Sequence, residues 1–542
     1  MVRQADIALR VRNEATYVTA CVRAGVVRPE PPRRFALGLR DVARYGFVGA
    51  LPALAARRRG ERAGLIDERG ALTFTQLDRR ANALANGWRE HGLRAGDGVA
   101  ILARNHRGFV EATTAAARCG ARIVLLNTDF AGPQIRDVAA REGVDLLVHD
   151  DEYATFLDGI EPRLGRWRAW TDDGAAAAGT LEGLIAASSP APPPRPAAEA
   201  KLVVLTSGTT GTPKGAPRTV PKSLQPLGAL LSMVPFRAGE TSVVAAPLFH
   251  SLGFVQGQLA LALGSTLVLR RRFDPALLLD DLARHRASAV VVVPVMLRRL
   301  LALGDDAIAT RDLSALRIVF VAGSQLGAEL CERTTAAFGP LVYNLYGSTE
   351  VAYATIATPA DLAAEPGCVG RPPPGAVVRL YDDAGAPVAG PGRSGRIFVG
   401  NGFEFEGYTG GGSKETIDGL MSSGDVGHFD AAGRLFVDGR DDEMIVSGGE
   451  NVFPAEVEEL LHRHAAVEEA ALIPVEDEAW GQRLRAFVVV RAGERLSEDA
   501  VKAFVRENLA RYKVPREVVF LDALPRNPTG KVLKRELAAM AV

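Results

Sequence analysis

From Gly64 to Tyr343 short apolar runs alternate with amphipathic stretches, and that rhythm sets the expected architecture. Val99-Ala-Ile-Leu102 and Arg122-Ile-Val-Leu-Leu126 read as buried strands around a helix at 107–119, and Leu72-Thr-Phe-Thr75 opens an earlier helix near Gln76. A second set spans 222–345, with strands expected at Val243–Ala246, Ser265–Leu269, Ala289–Val293 and Ile318–Val321. Runs that are apolar at every position suit strands covered on both faces, and alternation with helices indicates parallel sheets. Between 375 and 440 the strands shorten (377–380, 395–399, 435–437) and Gly- and Pro-bearing turns separate them, which predicts a small β subdomain. Beyond Arg440 the pattern reads helix 454–464, strands 470–474 and 484–490, helix 498–510 and strand 517–521. Ser497 suits an N-cap, with Glu498 and Asp499 at the positive end of that last helix. The fold class expected is α/β: layered αβ subdomains plus a small β subdomain in a large N-terminal domain, then a small mobile α+β C-terminal domain.

The first 59 residues differ from the rest. Twelve Arg against four Asp/Glu give them a net +8, so the remainder of this formally neutral chain carries −8. Ile7, Val11, Val18, Val22 and Val26 fall near one helical stripe, Pro29-Glu-Pro-Pro32 ends it, and Phe35, Leu39, Val42, Phe47, Leu51 and Leu54 follow before Arg57-Arg-Arg59. Two readings stand: a helical extension packed on the main domain, or an interfacial patch for anionic membrane. The expected division is therefore 1–59 basic amphipathic extension, 60–440 main domain, 441–542 small domain. Residues 171–200, rich in Ala, Ser and Pro, read as an exposed connection.

Zero net charge argues against nucleic acid as the main partner. Four scattered cysteines argue against a disulfide framework or structural zinc. With no transmembrane-length run and no evident signal peptide, the expected location is cytoplasmic, with peripheral contact at the inner membrane face if the membrane reading holds.

The chemistry concentrates first in Leu205-Thr-Ser-Gly-Thr-Thr-Gly-Thr-Pro-Lys-Gly215, behind the strand-like Leu202–Leu205. Its hydroxyls, glycines and Lys214 offer the donors and the charge that hold a polyphosphate. It is not a Walker A loop, because Pro213 stands where the second glycine of that pattern would be needed. Three further elements follow in order: Tyr343-Asn-Leu-Tyr-Gly-Ser-Thr-Glu350; Ser422-Ser-Gly-Asp425 with Gly439-Arg-Asp-Asp442; and Pro525-Arg-Asn-Pro-Thr-Gly-Lys531. Pro247-Leu-Phe-His250 and Val446-Ser-Gly-Gly-Glu-Asn-Val-Phe-Pro454 complete the set.

Over roughly 60–542, these elements and their order resemble the adenylate-forming (AMP-binding) superfamily, in particular bacterial fatty-acyl-CoA synthetases. The resemblance implies ATP, Mg²⁺ and CoA as cofactor and co-substrates. It implies that Thr206, Ser207, Gly208, Thr209, Thr210, Gly211 and Lys214 hold phosphate, and that Gly323, Ser324, Tyr346 and Gly347 lie against nucleotide or acyl group. Tyr346 would stack on adenine, Thr349 bond the α-phosphate and Glu350 hold the metal. Asp425 would take the ribose, Arg440 ribose or phosphate, and Lys531 the substrate carboxylate and α-phosphate. His250 would flank the reacting carboxylate as a gate. Asp441 would be the hinge about which the small domain turns, bringing Gly448 and Gly449 to the thiol channel. Peptide-synthetase relatives carry an Asp near the His250 region, and Pro247–Gly253 has none. The expected acyl pocket is lined from 250–254, 321–326 and 346–353. Fatty or aryl acid, and free CoA or carrier protein as acceptor, stay open, as does a homodimer. A membrane-docked lipid-binding protein with a degenerate site is the rival reading from another class.

Overall fold

In the computed structural model, residues 2–172, 177–206, 214–218, 224–403, 405–409, 411–441, 445–447, 450–477, 481–509, 513–527 and 530–540 are described. An eight-stranded sheet carries, in spatial order, Thr355–Ala357, Val342–Tyr346, Ile318–Val321, Ala289–Val292, Thr241–Val244, Thr266–Val268, Ala63–Asp67 and Gly70–Thr73. Its six inner strands are parallel. A six-stranded sheet places Arg166–Trp170, Val144–Asp150, Gly98–Leu102, Arg122–Leu125 and Lys201–Thr206 in parallel, with Lys214–Arg218 antiparallel at its edge. The fully apolar runs read in the sequence are these central strands; Ala289–Val292 and Ile318–Val321 are buried at every position.

Between the two sheets the helix Arg107–Cys119 is buried along its whole length, and Gly120 ends it in a left-handed conformation. The helix expected near Gln76 starts two residues earlier, at Phe74. There Thr73 accepts from the Gln76 N–H while Gln76 accepts from the Thr73 N–H, a reciprocal cap that satisfies two orphan donors. Trp88 on that helix is fully buried, so an exposed-connection reading of 171–200 fits only part of that stretch: Leu181 and Leu184 lie buried in the same core.

The β subdomain is a five-stranded antiparallel sheet, and its longest strand, Leu420–Phe429, falls where the sequence pattern suggested a turn. Its glycines and serines disguise it, because a strand with small residues at close approaches lacks the β-branched signature. The C-terminal segment has its own five-stranded sheet and its own core, including Val457, Leu461, Leu472 and Val488. Ser497 accepts from the Ala500 N–H, as its N-cap position requires.

Two helices precede all this: α1 (Val2–Ala24) and α2 (Pro32–Arg59). The expected stripe does not face inward. Val11, Val18 and Val22 are exposed, and α1 packs through Tyr17, Ala20, Cys21 and Ala24 instead. On α2, Phe35, Leu39, Val42 and Phe47 are exposed while Leu51 is buried. Small residues let the helix backbone approach the body, which is why the larger aliphatics were left outside. Among the described residues no helix is long and apolar enough to cross a membrane.

Candidate active site

Parallel strands end together, and loops leaving their carboxyl edge form a crevice. Three sequence-selected groups leave that edge of the eight-stranded sheet. His250 follows Thr241–Val244, Gly323 and Ser324 follow Ile318–Val321, and Tyr346 closes Val342–Tyr346. Gly323 has φ of 101°, a conformation glycine adopts freely, and with Ser324 it lies exposed at the crevice.

The Tyr346–Glu350 turn is stitched by its own side chains. Ser348 donates to Glu350 at 2.9 Å, and Tyr408 from the β subdomain donates to the other Glu350 oxygen at 2.8 Å. Burial and the neighbouring Glu350 push the Tyr408 hydroxyl up, so it stays a donor. Gly347 tolerates no side chain: a Cβ there would lie 2.1 Å from the Ala352 carbonyl oxygen. Thr349 is half-buried on the same turn.

Asp425 and Arg440 stand directly opposite each other on antiparallel strands, which explains how residues fifteen apart form one unit. Arg440 donates to Asp425 at 3.1 Å and the Tyr346 hydroxyl donates to its other oxygen at 2.5 Å. Burial raises the Asp425 carboxyl, while Arg440, Tyr346 and then Lys531 pull it the other way. Burial and Asp425 together push the Tyr346 phenol well above its ordinary value. Gly424 (φ 80°) lets two cations come close: a Cβ there would lie 3.3 Å from both Arg440 Nη2 and Lys414 Nζ. Beside them lies a cavity of about 370 Å³ lined by Lys414, Ser422, Gly424, Arg440 and Asp441, among others. Asp441 accepts from Arg396 at 3.1 Å.

Lys531 reaches this centre from the C-terminal segment. Gly530 is buried against the helix that follows Ala289–Val292: a Cβ on Gly530 would lie 2.1 Å from Val295 Cγ1, and its φ is 77°. The Asn527 side chain accepts from the Lys531 N–H at 2.9 Å, and the Lys531 charge acts on Asp425.

Thr206 and Lys214 pair in register as the last residues of their two strands before the connecting segment. Lys214 Nζ lies 5.3 Å from the Tyr408 ring centroid, a cation–π distance. Thr409 ties the hairpin to the β subdomain, accepting from the Gly215 N–H at 2.9 Å and donating to Glu142 at 2.6 Å. The intervening Ser207, Gly208, Thr209, Thr210 and Gly211 lie outside the described residues, as do Gly448 and Gly449. His250 keeps some surface, but its Nε2 is enclosed without a hydrogen-bond partner among the described residues. Burial lowers the imidazole to about 4, so it is neutral at physiological pH.

The structure thus links Lys214 to Glu350 through Tyr408 and joins Tyr346, Asp425 and Arg440, with the Lys531 charge acting on Asp425; His250 shares only the carboxyl edge of the sheet with them. Sequence reasoning missed Tyr408, Ser348 and Lys414. Nothing in the Glu406-Gly-Tyr-Thr409 stretch says that Tyr408 bridges Lys214 to Glu350. No group of three or more His, Cys, Asp or Glu that could hold a metal occurs among the described residues. A single carboxylate such as Glu350 still fits Mg²⁺, which takes one or two carboxylates plus phosphate oxygens.

Residues 53–409 match the family model of the AMP-binding enzymes, and residues 456–531 that of the AMP-binding enzyme C-terminal domain. The chain is 35% identical over 502 residues to a feruloyl-CoA synthase of Amycolatopsis sp, covering 90% of this chain and 98% of that protein. It is 30% identical to a fatty acid–[acyl-carrier-protein] ligase of Streptomyces coeruleorubidus, covering 87% and 92%. The solved o-succinylbenzoate CoA synthetase from Bacillus subtilis, in complex with its acyl-adenylate intermediate, is similar at a TM-score of 0.78 and 27% identity, over 91% of this chain and 98% of that one.

Proposed function

This chain belongs to the AMP-binding, adenylate-forming enzymes, a family of AMP-forming acid–thiol ligases, and on that premise we propose that it activates an apolar carboxylic acid, in the first place a fatty acid, with ATP and transfers it to the thiol of CoA. A carboxylate oxygen attacks the α-phosphorus and pyrophosphate leaves. The thiolate then attacks the acyl carbonyl and AMP leaves. The observation that carries this reading is the Asp425–Arg440–Tyr346 unit, where a guanidinium and a phenol converge on one buried carboxylate, with the charge of Lys531 from a separate segment acting on it. Asp425 and Arg440 would hold the ribose, Lys214 and Lys531 would neutralise phosphate charge, and Glu350 would hold Mg²⁺, which supplies charge neutralisation at the phosphates. Neutral His250, its Nε2 enclosed and without a partner among the described residues, would flank the reacting carboxylate. The boundaries 59/60 and 440/441 are proposed as the limits of the three units.

An aryl acid is the second reading, favoured by the feruloyl-CoA synthase likeness and by the Tyr353–Phe403 pair below the site. The experiment is ATP-dependent AMP release with graded fatty acids and an aryl acid, each with and without CoA. CoA-dependent AMP release is the expected result. Adenylate formation indifferent to CoA would instead favour a carrier-protein acceptor, as the name of the Streptomyces coeruleorubidus relative suggests.

We also propose that α1 and α2 rest on the anionic inner face of the cytoplasmic membrane. Val11 (65% exposed), Phe35 (58%) and Leu39 (56%) stand out among exposed Arg33, Arg34 and Arg40. Apolar side chains interleaved with arginines suit the headgroup boundary. The triple change Val11→Ser, Phe35→Ser, Leu39→Ser is expected to weaken binding to anionic vesicles about tenfold or more, without slowing turnover of a soluble short acid. Unchanged vesicle sedimentation would remove the membrane role.

A further inference from the structure

Helix α1 lies outside both matched segments, yet it drives one aromatic side chain into the body of the enzyme. Tyr17 is 2% exposed. Two glycines cut its slot: a Cβ on Gly228 would lie 2.4 Å from Tyr17 Cβ, and one on Gly375 would lie 2.0 Å from the Tyr17 hydroxyl. That hydroxyl donates to the Pro374 carbonyl at 3.0 Å. The ring packs with Ala229 and Tyr353, and Leu345, Ala352 and Phe403 close around them.

This cluster is separate from the main core and sits directly beneath the Tyr346–Glu350 turn. Leu345 immediately precedes Tyr346, and a Cβ on Gly347 would come within 2.9 Å of Tyr353 Cα. The Tyr353 backbone is held: Asn401 donates to the carbonyls of Val351 and Tyr353, both at 2.7 Å, and Ala352 keeps a φ of 59°. The Tyr353 side chain is buried, with Gln225 acting on its hydroxyl. Phe403 meets it edge-on at 5.8 Å. Behind it stands Tyr17, near enough that, after burial itself, its hydroxyl is the next influence raising the Tyr353 phenol.

On the ligase reading the carboxylate lies by Lys531 and the nucleotide unit, so the acid's apolar part needs apolar side chains next to the turn, and this packed cluster is the set that adjoins it. We propose that Tyr17 is a specificity-determining positioning residue, which fixes Tyr353 as the end wall of the acyl site and so limits the length or bulk of the acid accepted. The assignment rests on the acyl-ligase reading above. It gives the extension outside the family match a direct role in substrate choice, through packing alone.

The test measures kcat/KM across straight-chain acids of graded length and a set of aryl acids of increasing bulk, together with KM for ATP and Tm. Tyr17→Ala, Tyr17→Leu and Tyr17→Phe are compared with the wild type. Tyr17→Ala is expected to shift the ratio of kcat/KM toward longer or bulkier acids by about tenfold, the range that one or two methylenes in an apolar pocket command. The shift should appear in KM for the acid and leave KM for ATP unchanged. Tyr17→Leu, which keeps an apolar plug in the slot, should shift the ratio the same way but less, and it decides the matter if Tyr17→Ala does not fold. Tyr17→Phe keeps the ring and should keep the wild-type preference. Equal losses for every acid, or an unchanged ratio in a folded variant, overturn the assignment. Wild-type turnover in the same series carries the ligase reading by itself, so the two can fail separately.

Discussion

Replacing Lys531 with alanine is expected to abolish adenylation while sparing thioester formation from supplied acyl-AMP. The lysine sits after Gly530, whose left-handed backbone and close seat on Val295 let the turn reach the crevice. Its charge acts where the α-phosphate would pass through its most negative state, and Asp425 already registers it. Removing one donor aimed at developing charge costs about 10²–10³-fold in rate. The second half-reaction needs no phosphoryl transfer, and in the domain-alternation scheme the small domain would have turned about Asp441 by then. Pyrophosphate exchange measures the first step and CoA-thioester formation from synthetic acyl-AMP the second. If both fall by the same factor, Lys531 serves both steps and the alternation scheme is wrong.

The second large effect is expected at Asp425. Its carboxylate accepts from Arg440 and from the Tyr346 hydroxyl and is 9% exposed, so Asp425→Ala removes an acceptor from two donors at once. Leaving a part-buried arginine without its partner costs more than the pair's own worth. A ribose would also lose its acceptor. KM for ATP should rise about 10²-fold, in line with the roughly 2–5 kcal/mol of such truncations, while KM for the acid changes little. Asp425→Asn keeps one acceptor oxygen and should fall between. Calorimetric titration with a non-hydrolysable ATP analogue checks the binding part directly. Equal weakening of acid and ATP would mean that Asp425 holds the subdomain together and does not meet the nucleotide.

Much of the site was legible because its parts are local. Tyr343 to Glu350 groups donors, a turn and a charge within a few residues, and such a grouping needs little context; most of Thr206 to Gly215 lies outside the described residues. The Asp425 strand was less legible. Small residues at 422–424 look like a turn until the neighbouring strand shows that Gly424 makes room for Arg440 and Lys414. Tyr408 could not be read at all, since its meaning lies in two partners, Glu350 and Lys214, that are far away along the chain.

The N-terminal helices make the same point from the other side. Their apolar periodicity was plain, but the inward face of the first is built from Tyr17, Ala20, Cys21 and Ala24, while Val11, Val18 and Val22 point outward. Periodicity identifies a helix; it does not say which side meets the body when small residues pack more closely than large ones.

Sequence alone determined that this is an α/β adenylate-forming enzyme, because strand runs, turn chemistry and the order of motifs are properties of neighbouring residues. Tertiary structure decided which charges pair, that Tyr408 joins two motifs, and that Tyr17 from outside the matched family segments packs behind Tyr353. Those facts depend on strand register and on close approaches between distant segments, which a linear pattern does not encode.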